Sequence, residues 1–315
     1  MAIRGSKELL KVVLGKKRFL LSAHERPDGD AWSSLAAMTL LLKSFGKETA
    51  VIGDAARARE YSFLTEQLSF DTTGPWDAFI ALDCGSRSRI AGGAVPEAYL
   101  INIDHHADND RYGDLNIVEP HLSSTAELIW HLAGEWKAEN LPRDFYLAVY
   151  TGIMTDTGNF SYSNTSSETL KAASDILTVL GDPAELHTRI YHTLSPERVL
   201  IRGRVMSRLR LHCRGRIVLS HVTRADMKEL GLTPDDLEGA VEGLRSVGGS
   251  EIYILMKEKE GAVRLSIRSK GKVPVNGFAA SLDEGGGHDF AAGATFRGTL
   301  EEAEKAIVAY WEERL

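Results

Sequence analysis

Short apolar runs recur along the first half of the chain, each closed by polar or turn-forming residues. Phe19-Leu20-Leu21-Ser22-Ala23, Thr49-Ala50-Val51-Ile52-Gly53, Asp77-Ala78-Phe79-Ile80-Ala81-Leu82 and Tyr99-Leu100-Ile101-Asn102-Ile103 are of strand length, and their near-continuous hydrophobicity predicts strands buried on both faces. Between the first two, Leu35, Met38, Leu41 and Leu42 fall at helical spacing, and Gly46 stops the pattern. Ser6, ahead of Lys7-Glu8-Leu9-Leu10, reads as the cap of an opening helix. Ser124-Thr125-Ala126-Glu127 reads as a capping box, with a helix through Ala133, and residues 143–154 form another apolar helix. Strands alternating with helices predict an α/β domain, a mostly parallel sheet with helices on both faces.

From 168 to 205 the pattern is helical, punctuated by Pro183 and Pro196. Beyond it the character changes. Residues 216–222, 251–256 and 262–268 read as strands, the last with clean alternation, and a charged helix from Leu300 to Arg314 closes the chain. Residues 273–294 are rich in glycine, and the run Gly285-Gly286-Gly287 ahead of His288 reads as a loop. The expected organisation is a catalytic domain over 1–183, a helical linker over 184–205 and a smaller C-terminal α/β domain over 206–315, with an active-site cleft between the domains.

Composition narrows the function without deciding it. The 315 residues are 43% hydrophobic and 26% charged, ordinary for a soluble two-domain protein. No uninterrupted apolar stretch reaches membrane-spanning length, and the N-terminus lacks a signal-peptide pattern, so a cytoplasmic location is expected. Cys84 and Cys213 are far apart and in no C-x-x-C pair, which fits reduced thiols. The formal net charge of −7 disfavours non-specific binding of long nucleic acid but leaves room for a small anionic substrate.

The chemistry-bearing residues sit where strands or helices end. The first strand runs into His24-Glu25-Arg26-Pro27-Asp28-Gly29-Asp30, the third into Asp83, the fourth into Asp104-His105-His106, and a helix into Thr155-Asp156-Thr157-Gly158. Ligands of open parallel sheets bind outside the carboxyl ends of the strands. Each segment alone has a plain explanation: Asp-Gly-Asp is a common turn, a lone Asp a common helix cap. Together they place several acids on one rim with only Arg26 among them to neutralise the charge, and converging carboxylates repel. A pair of divalent cations resolves that conflict. Mixed imidazole and carboxylate donors suit Mn²⁺, with Co²⁺, Fe²⁺, Zn²⁺ or Mg²⁺ as alternatives. Two such ions activate water and neutralise phosphoryl charge, so the expected reaction is phosphoester hydrolysis by in-line attack of a metal hydroxide.

These four ordered motifs, with Gly285-Gly286-Gly287-His288 and Ala291-Ala292-Gly293 near the C-terminus, resemble those of the DHH phosphoesterases and their DHH-associated C-terminal domain. The likeness is strongest to the oligoribonucleases (nanoRNases) that also remove the 3′-phosphate of adenosine 3′,5′-bisphosphate. The resemblance implies that His24 and Asp28 bind one metal, that Asp30, His105 and Asp156 bind a second, and that Asp83 bridges both. It implies that Asp104 orients a histidine and that His106 approaches the scissile phosphate or protonates the leaving oxygen. Arg268, Gly285, Gly286, Gly287 and His288 are implied to hold substrate, and a homodimer is implied as well. Two positions depart from the family pattern: Asn159 stands where many relatives carry a basic residue, and Asp289 where they often carry a neutral or basic one. Other readings of the same motifs are a cyclic or linear dinucleotide phosphodiesterase and a RecJ-type single-strand exonuclease. A non-catalytic nucleotide-binding module is the reading from a different class.

Overall fold

The computed structural model describes residues 2–93, 96–237 and 239–315, apart from the side chains of Arg59 and His288. The chain forms two compact units that meet in sequence at Thr193 and Leu194. In the first, α1 (Ser6–Gly15), β1 (Arg18–Ser22), α2 (Gly29–Ser44), β2 (Glu48–Ile52), α3 (Ser62–Thr65), β3 (Ala78–Leu82), β4 (Tyr99–Asp104) and β5 (Leu115–Val118) precede four helices. These are α4 (Thr125–Glu135), α5 (Arg143–Asp156), α6 (Ser167–Leu180) and α7 (Ala184–Tyr191).

The five strands form one sheet in the order β2-β1-β3-β4-β5, parallel throughout. Strand alternation splits its apolar residues between two clusters. Phe19, Leu21, Val51, Ile80, Leu82, Ile101 and Ile103 pack with α1, α2, α4 and α5 in the main core. Leu20, Ala50, Phe79, Ala81 and Leu100 point the other way. Helices were expected on both faces; the apolar residues closing this second cluster, Cys84, Ile90, Trp76, Ala98 and Tyr112, come instead from connecting segments. Nearly the whole of α2 is buried, which explains its weak amphipathic pattern between Gly29 and Leu35. α1 corrects a local expectation. Its N-cap is Gly5 at φ 82, with no side-chain cap, and the Ser6 hydroxyl instead accepts a hydrogen bond from the Trp136 indole at 3.2 Å.

The second unit contains α8 (Pro196–Ser207), β6 (Arg210–His212), β7 (Ile217–Val222), α9 (Arg224–Leu230), α10 (Ala240–Leu244), β8 (Ile252–Lys259) and β9 (Ala262–Ser269). It closes with α11 (Asn276–Ala280), β10 (Asp283–His288), β11 (Ala291–Arg297) and α12 (Leu300–Glu312). Its mixed sheet runs β10-β11-β9-β8-β7-β6, with only the β7–β8 pair parallel. One face packs on α12 through Ala303, Ile307 and Trp311, the other on α8 and α10 through Ile201, Val205, Val241 and Leu244. Within the segment read as a linker, α7 buries Leu186 and Ile190 in the first core and α8 buries Ile201 and Val205 in the second unit.

The glycine run is not a loop. Gly286 and Gly287 pair with Gly293 and Ala292 of β11, and a register break between Asp283 and Gly286 accommodates Gly285. A Cβ on Gly285 would lie 1.6 Å from the Ala279 carbonyl oxygen, so close backbone approach rather than loop flexibility demands glycine there.

Candidate metal centre

Adjacent strands β1, β3 and β4 bring their carboxyl ends together, and the candidate residues follow from this. His24 lies just beyond β1. Asp28 caps α2, accepting from the Ala31 amide at 3.1 Å, and Asp30 sits in the first helical turn. Asp83 follows β3 with a left-handed backbone, φ 50, held by its amide on the Ile103 carbonyl at 3.0 Å. Such a conformation is costly for a non-glycine residue and is sustained only by its surroundings. Asp104 ends β4, and His105 and His106 follow it. Asp156 is the last residue of α5.

Asp83 occupies the middle of the group. Its Oδ2 lies 3.8 Å from His24 Nε2, which is 3.9 Å from Asp28 Oδ1. Its Oδ1 lies 3.7 Å from His105 Nε2 and 3.6 Å from His106 Nδ1. His105 Nε2 is also 3.6 Å from Asp156 Oδ2. Two clusters of donors thus share Asp83: His24 with Asp28, and His105 with His106. Bonds of about 2.0–2.2 Å to a common ion leave neighbouring donors roughly 3–3.5 Å apart, a little tighter than these gaps. Asp30 stands beside them with its oxygens already engaged: the Thr125 and Ala126 amides donate to them at 2.8 and 3.0 Å.

The two neighbouring imidazoles are oriented differently. His105 Nδ1 faces the Leu122 carbonyl at 3.3 Å. A carbonyl only accepts, so Nδ1 carries the proton and Nε2 is left as a donor to a metal. His106 Nδ1 faces Asp104 Oδ1 at 2.6 Å. That bond occupies the His106 nitrogen nearest Asp83, which makes His105 the better metal donor of the two.

The electrostatics state the need for a cation. Burial, reinforced by the Asp83 charge, pushes Asp30 up to about 8, against the pull of His105. Burial pushes Asp156 up to about 7, with His105 again opposing it and Asp30 adding to it. Asp83 is raised by burial as well, and the three histidines only moderate the shift. His106 goes the other way for a base: burial would lower it, but the hydrogen bond to Asp104 and the Asp83 charge carry it up to about 10. Burial would raise Asp104, but the bond and charge of the His106 imidazole, the Asn109 bond and the His105 charge together carry it down to about 2. Asp30, Asp83 and Asp156 are therefore poorly ionised on their own, whereas the bond and charge of His24 hold Asp28 below the ordinary carboxylate range against its burial, and the donor set fits divalent metal ions.

Several supporting groups escaped the sequence reading. Asn109 Nδ2 donates to Asp104 Oδ2 at 2.5 Å, and Asn164 Nδ2 donates to the Ser123 carbonyl at 3.0 Å and the Asp156 carbonyl at 3.1 Å. Thr125 Oγ1 donates to Asp83 Oδ1 at 3.1 Å. Asn109 lies close to the histidine pair in sequence and could have been flagged; the contacts of Thr125 with Asp83 and of Asn164 with Ser123 span too many residues to leave a local signal. Of the substrate candidates in the second unit, Arg268 lies near the end of β9, with Nε on Glu242 Oε1 at 2.7 Å. Gly285, Gly286 and Gly287 lie on β10. The His288 side chain falls outside the described residues. Asn159 sits in a left-handed turn at φ 57, 3.4 Å from His187 Nε2, and Asp289 accepts from Asn276 at 2.7 Å.

Residues 18–153 match the family model described as "DHH family, N-terminal domain", and residues 216–315 match the "DHHA1 domain". A bifunctional oligoribonuclease and PAP phosphatase, NrnA, of Thermus thermophilus is 35% identical over 97% of this chain and 92% of its own length. The chain belongs to the DHH family. A second DHH relative of the same description, from Bacillus subtilis, is 29% identical over 95% of this chain and 96% of its own. Among solved structures, an exopolyphosphatase-related protein from Bacteroides fragilis superposes with a TM-score of 0.86 at 26% identity, covering 98% of this chain and 96% of that one. Among the described residues no helix is long and apolar enough to cross a membrane.

Proposed function

We propose that this DHH protein is a divalent-metal phosphoesterase. Its substrates are short oligoribonucleotides, cut to mononucleotides, and adenosine 3′,5′-bisphosphate, from which it removes the 3′-phosphate. The observation that carries the reading is buried Asp83, whose two carboxylate oxygens face different histidines, Oδ2 towards His24 and Oδ1 towards His105. The names of full-length relatives supply the substrate class. In this reading His24, Asp28 and Asp83 hold one ion, and Asp30, His105 and Asp156 share Asp83 for a second. Mn²⁺ is the proposed metal, because the donors mix imidazole with carboxylate. When bound, such ions supply an activated water and neutralise phosphoryl charge.

The chain's own residues do the rest. Asp104 holds His106 with its Nδ1 proton directed backwards, so that Nε2 is turned to a substrate oxygen as proton donor. Arg268, Gly285, Gly286, Gly287 and His288 of the 206–315 domain are assigned to substrate, and residues 1–183 to the chemistry. The protein is proposed to act in the cytoplasm as a homodimer. The test is hydrolysis of di- to pentanucleotides, adenosine 3′,5′-bisphosphate, cyclic dinucleotides and long single strands under Mn²⁺, with products identified. Fast cleavage of the short linear substrates and of the bisphosphate is expected; preference for long strands would overturn the proposal.

A further inference from the structure

The turn that leads into α4 touches the candidate metal centre at almost every residue. The Leu122 carbonyl faces His105 Nδ1 at 3.3 Å, and the Ser123 carbonyl accepts from Asn164, whose amide also reaches Asp156. The Thr125 and Ala126 amides donate to Asp30 at 2.8 and 3.0 Å. Only one side chain of the turn reaches the shared acid: Thr125 Oγ1 donates to Asp83 Oδ1 at 3.1 Å.

The turn is itself fixed from behind. Ser124 caps α4 through the Glu127 amide at 3.0 Å, as the sequence predicts. The Glu127 carboxylate does not return to the Ser124 amide to complete the box. It accepts instead from the Ser123 amide at 2.9 Å, the Ser123 hydroxyl at 2.6 Å and the Thr169 hydroxyl at 3.1 Å. Ser123, Ser124, Thr125 and Glu127 are all fully buried. A buried charge hydrogen-bonded on this scale holds its partners firmly.

From this geometry we infer that Thr125 is a positioning residue for Asp83: its hydroxyl sets the carboxylate rotation that divides the two oxygens between His24 and the His105 side. The inference rests on the metal-centre reading above. Asp83 needs such help, because its left-handed backbone places it in a tight turn and no Lys or Arg contact to its carboxylate is seen among the described residues. The hydroxyl hydrogen of Thr125 has one acceptor in reach that matters here, Asp83 Oδ1, and a carboxylate held by one directional donor has one preferred rotation.

The test compares Thr125→Val, which keeps shape and removes the donor, with Thr125→Ser, which keeps the donor. Mn²⁺ binding is measured by titration calorimetry, and turnover with bis-p-nitrophenyl phosphate. Thr125→Val is expected to weaken Mn²⁺ binding and lower kcat each by about 10–100-fold, with KM little changed. Thr125→Ser is expected to stay within about threefold of the unaltered protein. Equal Mn²⁺ affinity in Thr125→Val and the unaltered protein would overturn the inference, as would a Thr125→Ser variant as impaired as Thr125→Val. A fall in the thermal midpoint of metal-free Thr125→Val large enough to unfold it at the assay temperature would assign the residue to folding instead. Failure of the unaltered protein to bind Mn²⁺ would overturn the metal-centre reading itself, a result distinct from all of these.

Discussion

Both units bury aspartates, and they treat them in opposite ways. In the second unit Asp226 is 5% exposed and surrounded by its own chain's cations and donors. Arg208 and Arg204 donate to both of its oxygens, and the Thr223 amide and hydroxyl add bonds at 2.9 and 2.7 Å. The bond from Arg208 does most to hold this carboxyl well below the usual carboxylate range, against its burial. In the first unit Asp30, Asp83 and Asp156 gather with no guanidinium in contact among the described residues, and burial pushes all three upward. A protein that neutralises Asp226 with two arginines faces its larger cluster with histidines alone among the described residues. The difference marks Asp226 as a structural charge and the cluster around Asp83 as a site for a charge from outside.

The strongest way to break this contrast is at Asp83. Asp83→Ala should abolish Mn²⁺-dependent release of p-nitrophenol, by about a thousandfold or more, because both halves of the cluster lose their common donor. Near-normal turnover would show that the carboxylate is not shared. Next come the two histidines. His106→Ala should keep bound metal while losing about 10²–10⁴-fold in rate, whereas His105→Ala should lose metal as well. Metal analysis of the two purified variants decides the matter; an equal drop in both would sink the division between them.

Asp226→Ala tests the other side. It should lower unfolding free energy by about 2–4 kcal/mol, measured by denaturant titration, because Arg208 and Arg204 lose a shared buried partner and α9 loses the N3 half of its capping box. Mn²⁺ binding should be unaffected. The smallest effect sharpens the contrast through pH. Asp30 and Asp156 titrate near 3.8 when unfolded and at about 8 and about 7 when folded. Folded chains therefore hold protons that unfolded ones release, and metal-free stability is lost as pH rises from about 4 towards 8. Asp226 has the opposite sign: its depressed folded pKa gives stability that is present above about 4 and lost in acid. Thermal midpoints in chelator should fall between pH 5.5 and 8.5, and Mn²⁺ should remove most of that slope. A flat metal-free profile would contradict the unneutralised cluster.

Much of this was legible beforehand, for identifiable reasons. The strands of the first unit are apolar on both faces and short, so β1 to β4 stand out by composition alone, with acids and histidines closing them. β5 went unread because Leu115-Asn116-Ile117-Val118 is too short and too polar to stand apart. β10 was hidden by its glycines, which signal a loop until the Ala279 carbonyl is seen against Gly285. Ser6 resembled a cap because a cap and a buried hydroxyl use the same residue; only Trp136, far along the chain, distinguishes them.

By itself the sequence singled out the candidate residues, because the end of an element is a local event: His24, Asp83, Asp104 and His105 lie at strand ends and Asp156 ends a helix. It also determined membership of the DHH family, through ordered motifs. The tertiary structure alone decided that β1, β3 and β4 are neighbours, and hence that those residues share one centre. It decided that Asp83 turns one oxygen to His24 and the other to His105, and that the turn before α4 holds Asp30 and Asp83 in place. The reason is physical: a hydrogen bond from Thr125 to Asp83 depends on distance in space, and the chain between two residues 42 positions apart carries no trace of it.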